Sequence, residues 1–173
     1  MSHKQCRIII TKKCNLHCSY CLMKNEELMA TFKPATMEEI LEKEYSAYCI
    51  TGGEPLYNEW TINKMINLIL TIRRNVIDTK IFVYTNGEFK MSKNAILLMY
   101  LTDGINVSAH KNIPYKKIKI MNMYCPVRVH RQDTKIDAKL IHFCATHKMA
   151  LKIWHKDDCT TVPEDRFILE GGE

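Results

Sequence analysis

The chain has 173 residues, of which 46% are hydrophobic and 25% are charged, and its formal net charge is +6. This composition is that of an ordinary soluble globular protein, and no stretch approaches the ~18 apolar residues that a membrane span needs. The mild positive charge favours an anionic partner such as nucleic acid, or else it belongs to a solvated basic surface.

Cysteine usage and the polar start of the chain indicate a reducing, cytoplasmic environment. Residues 1–6 are polar and lead directly into an apolar stretch, so we expect no signal peptide. Five of the eight cysteines are scattered singly, without the paired spacings of a disulfide scaffold. Buried thiols explain most of these five.

Strand and helix patterns alternate along the chain. A capping-box spacing from Thr36 to Glu39 begins one helix, and Ser92 is a candidate cap for another. The patterns predict strands over 5–11, 45–51, 80–85, 105–109, 116–120, 127–130 and 150–155, and helices over 36–43, 59–74, 92–101 and 137–147.

This alternation predicts an α/β fold with a parallel sheet and right-handed crossovers. A closed barrel of eight such units takes about 250 residues, so this chain has room for five or six. We therefore predict an open, partial (β/α)6-type TIM-like barrel. It would form one domain over 1–173, with a core over 5–155 and a tail or cap over 156–173. Ligands of parallel sheets bind at the carboxyl ends of the strands.

Three cysteines follow the first predicted strand within eight residues: Cys14, Cys18 and Cys21. Thiolates are the soft ligands of iron–sulfur clusters and of zinc, and closed sites of either kind usually take four protein ligands. Three cysteines in one loop therefore suggest a cluster with one open iron. The alternatives are a zinc site completed by a distant ligand, His17 for example, and a purely structural group of thiols.

A second motif, Gly52-Gly53-Glu54, ends the second predicted strand of the barrel. Two glycines allow a close approach of the backbone to a ligand, and the Glu54 carboxylate can accept a hydrogen bond from an ammonium group. Alone, this segment is a turn with an acidic residue. The motif indicates a ligand site more specifically because it lies one strand after the cysteine loop.

Together the two motifs resemble the radical S-adenosylmethionine superfamily. Its pattern of Cys-x-x-x-Cys-x-aromatic-Cys is met by Cys14, Cys18, Tyr20 and Cys21, and its Gly-Gly-Glu motif is met by residues 52–54. The resemblance follows the strand order from about 5 to 155. It is specific at these two motifs and weak after residue 110.

The resemblance implies a [4Fe–4S] cluster held by the three cysteines, whose fourth iron chelates the amino and carboxylate groups of S-adenosylmethionine. An electron donor such as flavodoxin or ferredoxin would reduce the cluster. One electron would then cleave the sulfonium to a 5′-deoxyadenosyl radical, which abstracts hydrogen from a substrate.

The resemblance also implies further cofactor contacts at the strand ends. Tyr20 would lie near the adenine or pack in the fold. Thr85 and Asn86 end the third strand of the barrel, where they face the cofactor or form a turn. Ser108 ends the fourth strand, where family members often bind the ribose or the methionine carboxylate. Trp154 ends the last predicted strand and meets the adenine or packs in the core.

Arg128 and His130 alternate with two valines, so both side chains point to one face of their strand. If that face is the barrel interior, the two side chains are candidates for the cofactor carboxylate or the substrate. If it is the outer face, they are solvated.

A short, open barrel leaves room for a large substrate, and the basic charge favours a nucleotide or a base in nucleic acid. The segment 111–119 carries four lysines and a tyrosine, which suit phosphate contact and base stacking or form a solvated loop and edge strand. Alternatives are an activase acting on a partner glycyl-radical enzyme, a peptide-modifying enzyme, and a non-catalytic iron–sulfur electron carrier or sensor. We expect no membrane partner.

Overall fold

The computed structural model describes residues 4–18, 21–109, 113–131, 138–153 and 163–171. Within them the strands are β1 (Gln5–Thr11), β2 (Lys33–Ala35), β3 (Ala47–Gly52), β4 (Lys80–Thr85), β5 (Gly104–Ala109), β6 (Val127–Arg131), β7 (Ala150–Ile153) and β8 (Glu164–Leu169). All eight pair in parallel in one sheet of order β2-β8-β1-β3-β4-β5-β6-β7.

Helices connect the strands. They are α1 (Glu26–Met29), α2 (Met37–Leu41), α3 (Glu59–Asn75), α4 (Lys93–Leu101), α5 (Tyr115–Met121) and α6 (Ala138–Thr146), with a 3-10 turn at Leu22–Lys24. The capping box predicted from Thr36 to Glu39 is present at α2, and the Ser92 hydroxyl accepts the Ala95 N–H at α4. Side chains at the helix ends therefore satisfy backbone groups that the first turn leaves without partners.

The predicted fold class, an open partial barrel with a parallel sheet, is confirmed. Six strands, β1 and β3 to β7, form the predicted (β/α)6 unit in sequence order. The sheet is open because β2 and β7 lie at its two edges and do not pair with each other. That the chain forms a single domain stays a prediction.

The strand predicted over 116–120 is wrong, since this segment lies in helix α5. Ile118 and Met121 are fully buried, whereas Ile120 is 40% exposed. A spacing of three residues between buried side chains is helical. The alternation of lysines and isoleucines covers only five residues. This length is too short to distinguish the two-residue period of a strand from the period of a helix.

The tail predicted as a loop or cap is also wrong over its described part. Residues 164–169 form strand β8, which inserts between β1 and β2. The strand predicted over 150–155 is therefore not the last one; it is described as β7, and residues beyond 153 lie outside the described part. The sequence did not predict β8 because the strand begins with three charged residues, Glu164, Asp165 and Arg166. Acidic residues are depleted in strands.

Alternation along the strands separates an apolar core from a polar inner face. In β1, Cys6, Ile8 and Ile10 pack in the main core against the helices, whereas Gln5 and Arg7 line the inner face. Strands β5 and β6 follow the same rule, with apolar residues in the core and polar residues opposite. A smaller cluster around Ile9 and α1 covers part of the inner face.

In the described part of the chain, no helix combines the length and the apolar character that crossing a membrane requires. A cytoplasmic location stays a prediction.

Candidate active site

The inner face of the sheet holds a cavity of about 410 Å³. Ten of the predicted site residues line it: Cys14, Cys18, Cys21, Gly52, Gly53, Thr85, Asn86, Ser108, Arg128 and His130. They come from separate segments, which the parallel sheet brings to one place because the carboxyl ends of its strands share an edge. Tyr20 and Trp154 lie outside the described residues.

Backbone hydrogen bonds join the cysteine loop to the Gly-Gly-Glu loop. The Gly53 N–H donates to the Thr11 carbonyl at 2.8 Å, and the Glu54 N–H donates to the Lys13 carbonyl at 2.8 Å. A Cβ atom at Gly52 would overlap the Thr11 carbonyl, and one at Gly53 would overlap the Lys13 carbonyl. Both glycines are therefore needed for this backbone contact, whether or not they also approach a ligand.

Glu54 lies beneath the cavity wall and is fully buried. Its Oε1 accepts hydrogen bonds from the Thr85 hydroxyl at 2.7 Å and the Leu56 N–H at 2.9 Å, and its Oε2 accepts the Asn86 N–H at 2.7 Å. Burial raises the pKa of the Glu54 carboxyl, although these hydrogen bonds oppose the shift. The described contacts give Glu54 a positioning role at the end of β4, and its contact with an ammonium group stays a prediction.

Asn86 connects β4 to the cysteine loop. Its Nδ2 donates to Asn15 Oδ1 at 2.9 Å and lies 3.9 Å from Cys14 Sγ. The Leu16 N–H also points at Cys14 Sγ, at 3.4 Å. Two N–H groups therefore surround this sulfur and hold it beside the end of β4.

Three cysteine sulfurs on one loop are a suitable donor set for a [4Fe–4S] cluster. Lys24 Nζ donates to the Cys18 carbonyl at 3.2 Å, which places a positive charge beside the loop. Burial raises the pKa of the Cys18 thiol, as do the neighbouring Cys21 and Cys14. Within the described residues, no three His, Cys, Asp or Glu side chains come close enough to hold a metal ion together.

The part of the cavity wall that β6 forms is polar and positively charged. Arg128 and His130 both face the cavity, as the interior alternative for their strand requires. His130 Nε2 lies 3.1 Å from Asn106 Oδ1, and the ring packs edge-on against Tyr84. Burial, with smaller contributions from Arg128, Lys152 and Arg7, lowers the pKa of His130 to about 4, so the ring is neutral at pH 7.

The sequence patterns missed several residues that line the cavity. They are chiefly Gln5, Arg7, Tyr84, Lys152, Glu164 and Arg166. A signal existed for Arg7, which is a charged residue in the middle of an apolar strand and alternates with core positions. Nothing comparable indicated Glu164 and Arg166, because their segment did not predict a strand.

A family model described as a 4Fe-4S single cluster domain matches residues 5–118. The chain belongs to this family. The match supports the iron–sulfur cluster over the zinc alternative. The prediction of radical S-adenosylmethionine superfamily membership is confirmed, and the two predicted cofactors are those of that superfamily.

Two curated relatives are GTP 3′,8-cyclases of Clostridium perfringens, from strains SM101 and 13. Each is 34% identical to this chain over 100 residues, which cover 52% of this chain and 31% of the relative. The chain thus spans about a third of the length of these relatives.

Two solved structures share the fold. Native anSMEcpe with bound AdoMet and Cp18Cys peptide has a TM-score of 0.57 at 13% identity, over 88% of this chain and 51% of that one. A histidine-tagged form of anSMEcpe with bound AdoMet has a TM-score of 0.57 at 12% identity, over 87% and 51%. At this level of identity the likeness concerns the fold.

Proposed function

We propose that this chain is a radical S-adenosylmethionine enzyme that abstracts a hydrogen atom from a nucleotide. The observation that carries the proposal is the convergence of three cysteines, the Gly-Gly loop and the polar ends of β4 and β5 on one cavity. When bound, the reduced cluster would supply the one electron that cleaves S-adenosylmethionine to methionine and a 5′-deoxyadenosyl radical, and that radical would take hydrogen from the substrate.

The residues of the chain bind and orient the cofactors and exclude water. Cys14, Cys18 and Cys21 hold the cluster. We assign the Gly52–Gly53 backbone next to the loop to the amino group of S-adenosylmethionine, and the Ser108 hydroxyl to its ribose or carboxylate. Apolar side chains from the 3-10 turn, α1 and the segment after it close one side of the cavity: Leu22, Met23, Leu28, Met29 and Phe32. A dry wall protects a reactive radical from water.

Two observations support a nucleotide as substrate. The 34% identity to GTP 3′,8-cyclases extends over about half of the chain. In addition, Arg128 and Lys152 line the cavity, and no acidic side chain forms an ion pair with either among the described residues. Cations without acidic partners suit the phosphates of a nucleotide.

The described part of 111–119 supports an oligonucleotide less well. Lys117 Nζ donates to the Phe89 carbonyl at 2.6 Å, and Tyr115 packs edge-on against Phe143. These two side chains are used inside the fold, and neither lines the cavity. We therefore favour a nucleotide in the cavity over a base presented by a nucleic acid.

The test is anaerobic reconstitution with iron and sulfide, followed by dithionite and S-adenosylmethionine, with 5′-deoxyadenosine measured by mass spectrometry. The unchanged protein should bind about four iron atoms per chain and release 5′-deoxyadenosine. Flavodoxin or ferredoxin is the proposed physiological donor and should replace dithionite.

Replacing Cys14, Cys18 and Cys21 together by alanine should abolish both iron binding and 5′-deoxyadenosine release. Cys144→Ala, at a buried thiol on α6, is the matched control and should keep both. No 5′-deoxyadenosine from an iron-replete protein would contradict the proposal. Transfer of deuterium from a labelled nucleotide into 5′-deoxyadenosine would identify the substrate.

A further inference from the structure

Glu164 is the only acidic residue in the described lining of the cavity. It is the first residue of β8, which pairs with β1 so that Glu164 lies opposite Gln5 and Arg166 lies opposite Arg7. Its side chain is only 2% exposed. The insertion of β8 beside β1 thus places a buried carboxylate in the wall of the proposed active site.

The two oxygens of this carboxylate have different surroundings. Oε1 accepts hydrogen bonds from Arg7 Nε at 2.8 Å and from Arg166 Nε at 3.0 Å. Oε2 is buried, and it has no hydrogen-bond partner among the described residues. A buried carboxylate oxygen without a donor is costly and uncommon, so it calls for a donor that the cavity can bring.

Other contacts hold both arginines on Oε1. The Arg7 guanidinium lies over the Tyr84 ring, 4.9 Å from its centroid. Arg166 Nη1 donates to the Thr31 hydroxyl at 2.9 Å, and its guanidinium lies 5.9 Å from the Phe32 ring centroid. These contacts hold both guanidinium groups beside Oε1, so neither of them donates to Oε2.

The cavity therefore offers an acceptor on one wall and cations on the other. Glu164 belongs to the wall of β1 and β8, whereas Arg128 and Lys152 belong to β6 and β7. A matching molecule carries an N–H donor at one end and an anionic group at the other. A nucleotide has both, in its base and its phosphates.

We propose that Glu164 is a substrate-recognition residue whose Oε2 accepts a hydrogen bond from an N–H of the nucleobase, while the phosphates contact Arg128 and Lys152. This inference rests on the proposed function for its nucleotide substrate. The inference adds that strand β8, and not the cysteine motif, recognises the base.

The substitution Glu164→Gln tests this assignment at a single atom. Because Arg7 and Arg166 are both donors, they keep the glutamine oxygen on their side. The NH₂ group then takes the place of Oε2 and turns an acceptor into a donor. A substrate N–H would meet a donor instead of an acceptor, while the size of the side chain hardly changes.

The probes are GTP and inorganic tripolyphosphate, with dissociation constants measured by equilibrium dialysis on the reconstituted protein. Glu164→Gln should weaken GTP binding at least about tenfold and leave tripolyphosphate binding within about twofold. Arg128→Gln should weaken both probes, because it removes a phosphate contact. Glu170→Gln, at an exposed residue just beyond β8, is the matched control and should change neither.

Several results would overturn the inference. They are no GTP binding by the unchanged protein, equal GTP affinity with and without Glu164→Gln, and equal losses for GTP, tripolyphosphate and S-adenosylmethionine. The last result would assign Glu164 a purely structural role. If Glu164→Gln does not fold, Glu164→Asp keeps the carboxylate and withdraws the acceptor by one methylene, and the same selective loss of GTP is expected.

The two proposals fail in different ways. An unchanged protein that releases no 5′-deoxyadenosine would contradict the proposed function, while the dependence of GTP binding on Glu164 would remain measurable. Normal release together with unchanged GTP affinity in Glu164→Gln would contradict this inference alone.

Discussion

At the scale of single residues, buried polar groups hold the walls of the cavity. Glu54 is the clearest case, because its carboxylate accepts three hydrogen bonds, one from its own loop and two from the end of β4 and the residue after it. It keeps Thr85 and Asn86 at the end of β4, and Asn86 in turn contacts the cysteine loop. The sequence predicts that this motif contacts a ligand. In the structure, its glutamate connects the loops that line the cavity.

Glu54→Ala should lower the free energy of unfolding by about 2–4 kcal/mol, because buried donors lose their acceptor. Urea denaturation followed by circular dichroism measures this change. The matched control is Glu44→Ala, at an exposed residue before β3, which should stay within about 0.5 kcal/mol. Equal effects of the two substitutions would contradict the positioning role of Glu54.

His130 predicts a pH dependence of stability. Its pKa in the folded protein is about 4, whereas an unfolded histidine has a pKa of about 6.5. Between these values the unfolded chain binds more protons than the folded one. The free energy of unfolding should therefore fall as the pH decreases from about 6.5 to about 4, by about 3 kcal/mol from this residue.

Denaturation profiles across this pH window check the contribution of His130. His130→Gln should flatten the profile, because the replacement does not titrate. His142→Gln, at an exposed histidine on α6, should keep the slope of the unchanged protein. A slope that survives His130→Gln in full would assign the pH dependence to other groups.

At the scale of elements, α3 shows how local signals define a helix. Its buried face includes Ile62, Met65, Ile66 and Ile69 at helical spacing. Its start is a capping box, in which Asn58 Oδ1 accepts the Thr61 N–H at 2.9 Å and Thr61 Oγ1 accepts the Asn58 N–H at 3.3 Å.

The same substitution should have opposite effects at two positions of this element. Asn58→Ala should destabilise the protein by about 1 kcal/mol, because the first turn loses its cap. Asn67→Ala, on the exposed face in the middle of α3, should be neutral or stabilise by up to about 0.5 kcal/mol, since alanine is the better helix former. Thermal unfolding of both variants measures these changes. A loss of stability in Asn67→Ala as large as that in Asn58→Ala would contradict the capping role of Asn58.

At the scale of the whole molecule, the sheet extends beyond the six-strand unit on one side. Strand β8 lies between β1 and β2, so it covers the edge of β1 and adds one wall of the cavity. Leu169 at its end is buried in the main core, at 5% exposure. The C-terminal strand is therefore part of both the fold and the site.

Leu169→Ala should lower the free energy of unfolding by about 2–5 kcal/mol, the usual range for a buried leucine. Ile77→Ala, at a residue that is 88% exposed, should stay within about 0.5 kcal/mol. Chemical denaturation measures both. If the two substitutions had equally small effects, β8 would lie outside the cooperative unit.

Local patterns predicted most of the barrel and the centre of the site. Strands β1, β3, β4, β5 and β6 follow apolar runs, and α2, α3 and α4 follow helical periodicity and capping residues. Helix α5 was misassigned because five alternating residues fit either period. Strand β8 was missed because its charged residues Glu164 and Arg166 face a polar cavity and not solvent.

The sequence by itself determined the family, because the spacing of the three cysteines and the Gly-Gly-Glu motif are local features of consecutive residues. Only the tertiary structure decided which distant residues complete the cavity. Arg7 and Glu164 are 157 positions apart and meet through the pairing of β1 with β8. Strand pairing over such a separation leaves no local pattern in the chain, since it depends on burial and register across the whole sheet.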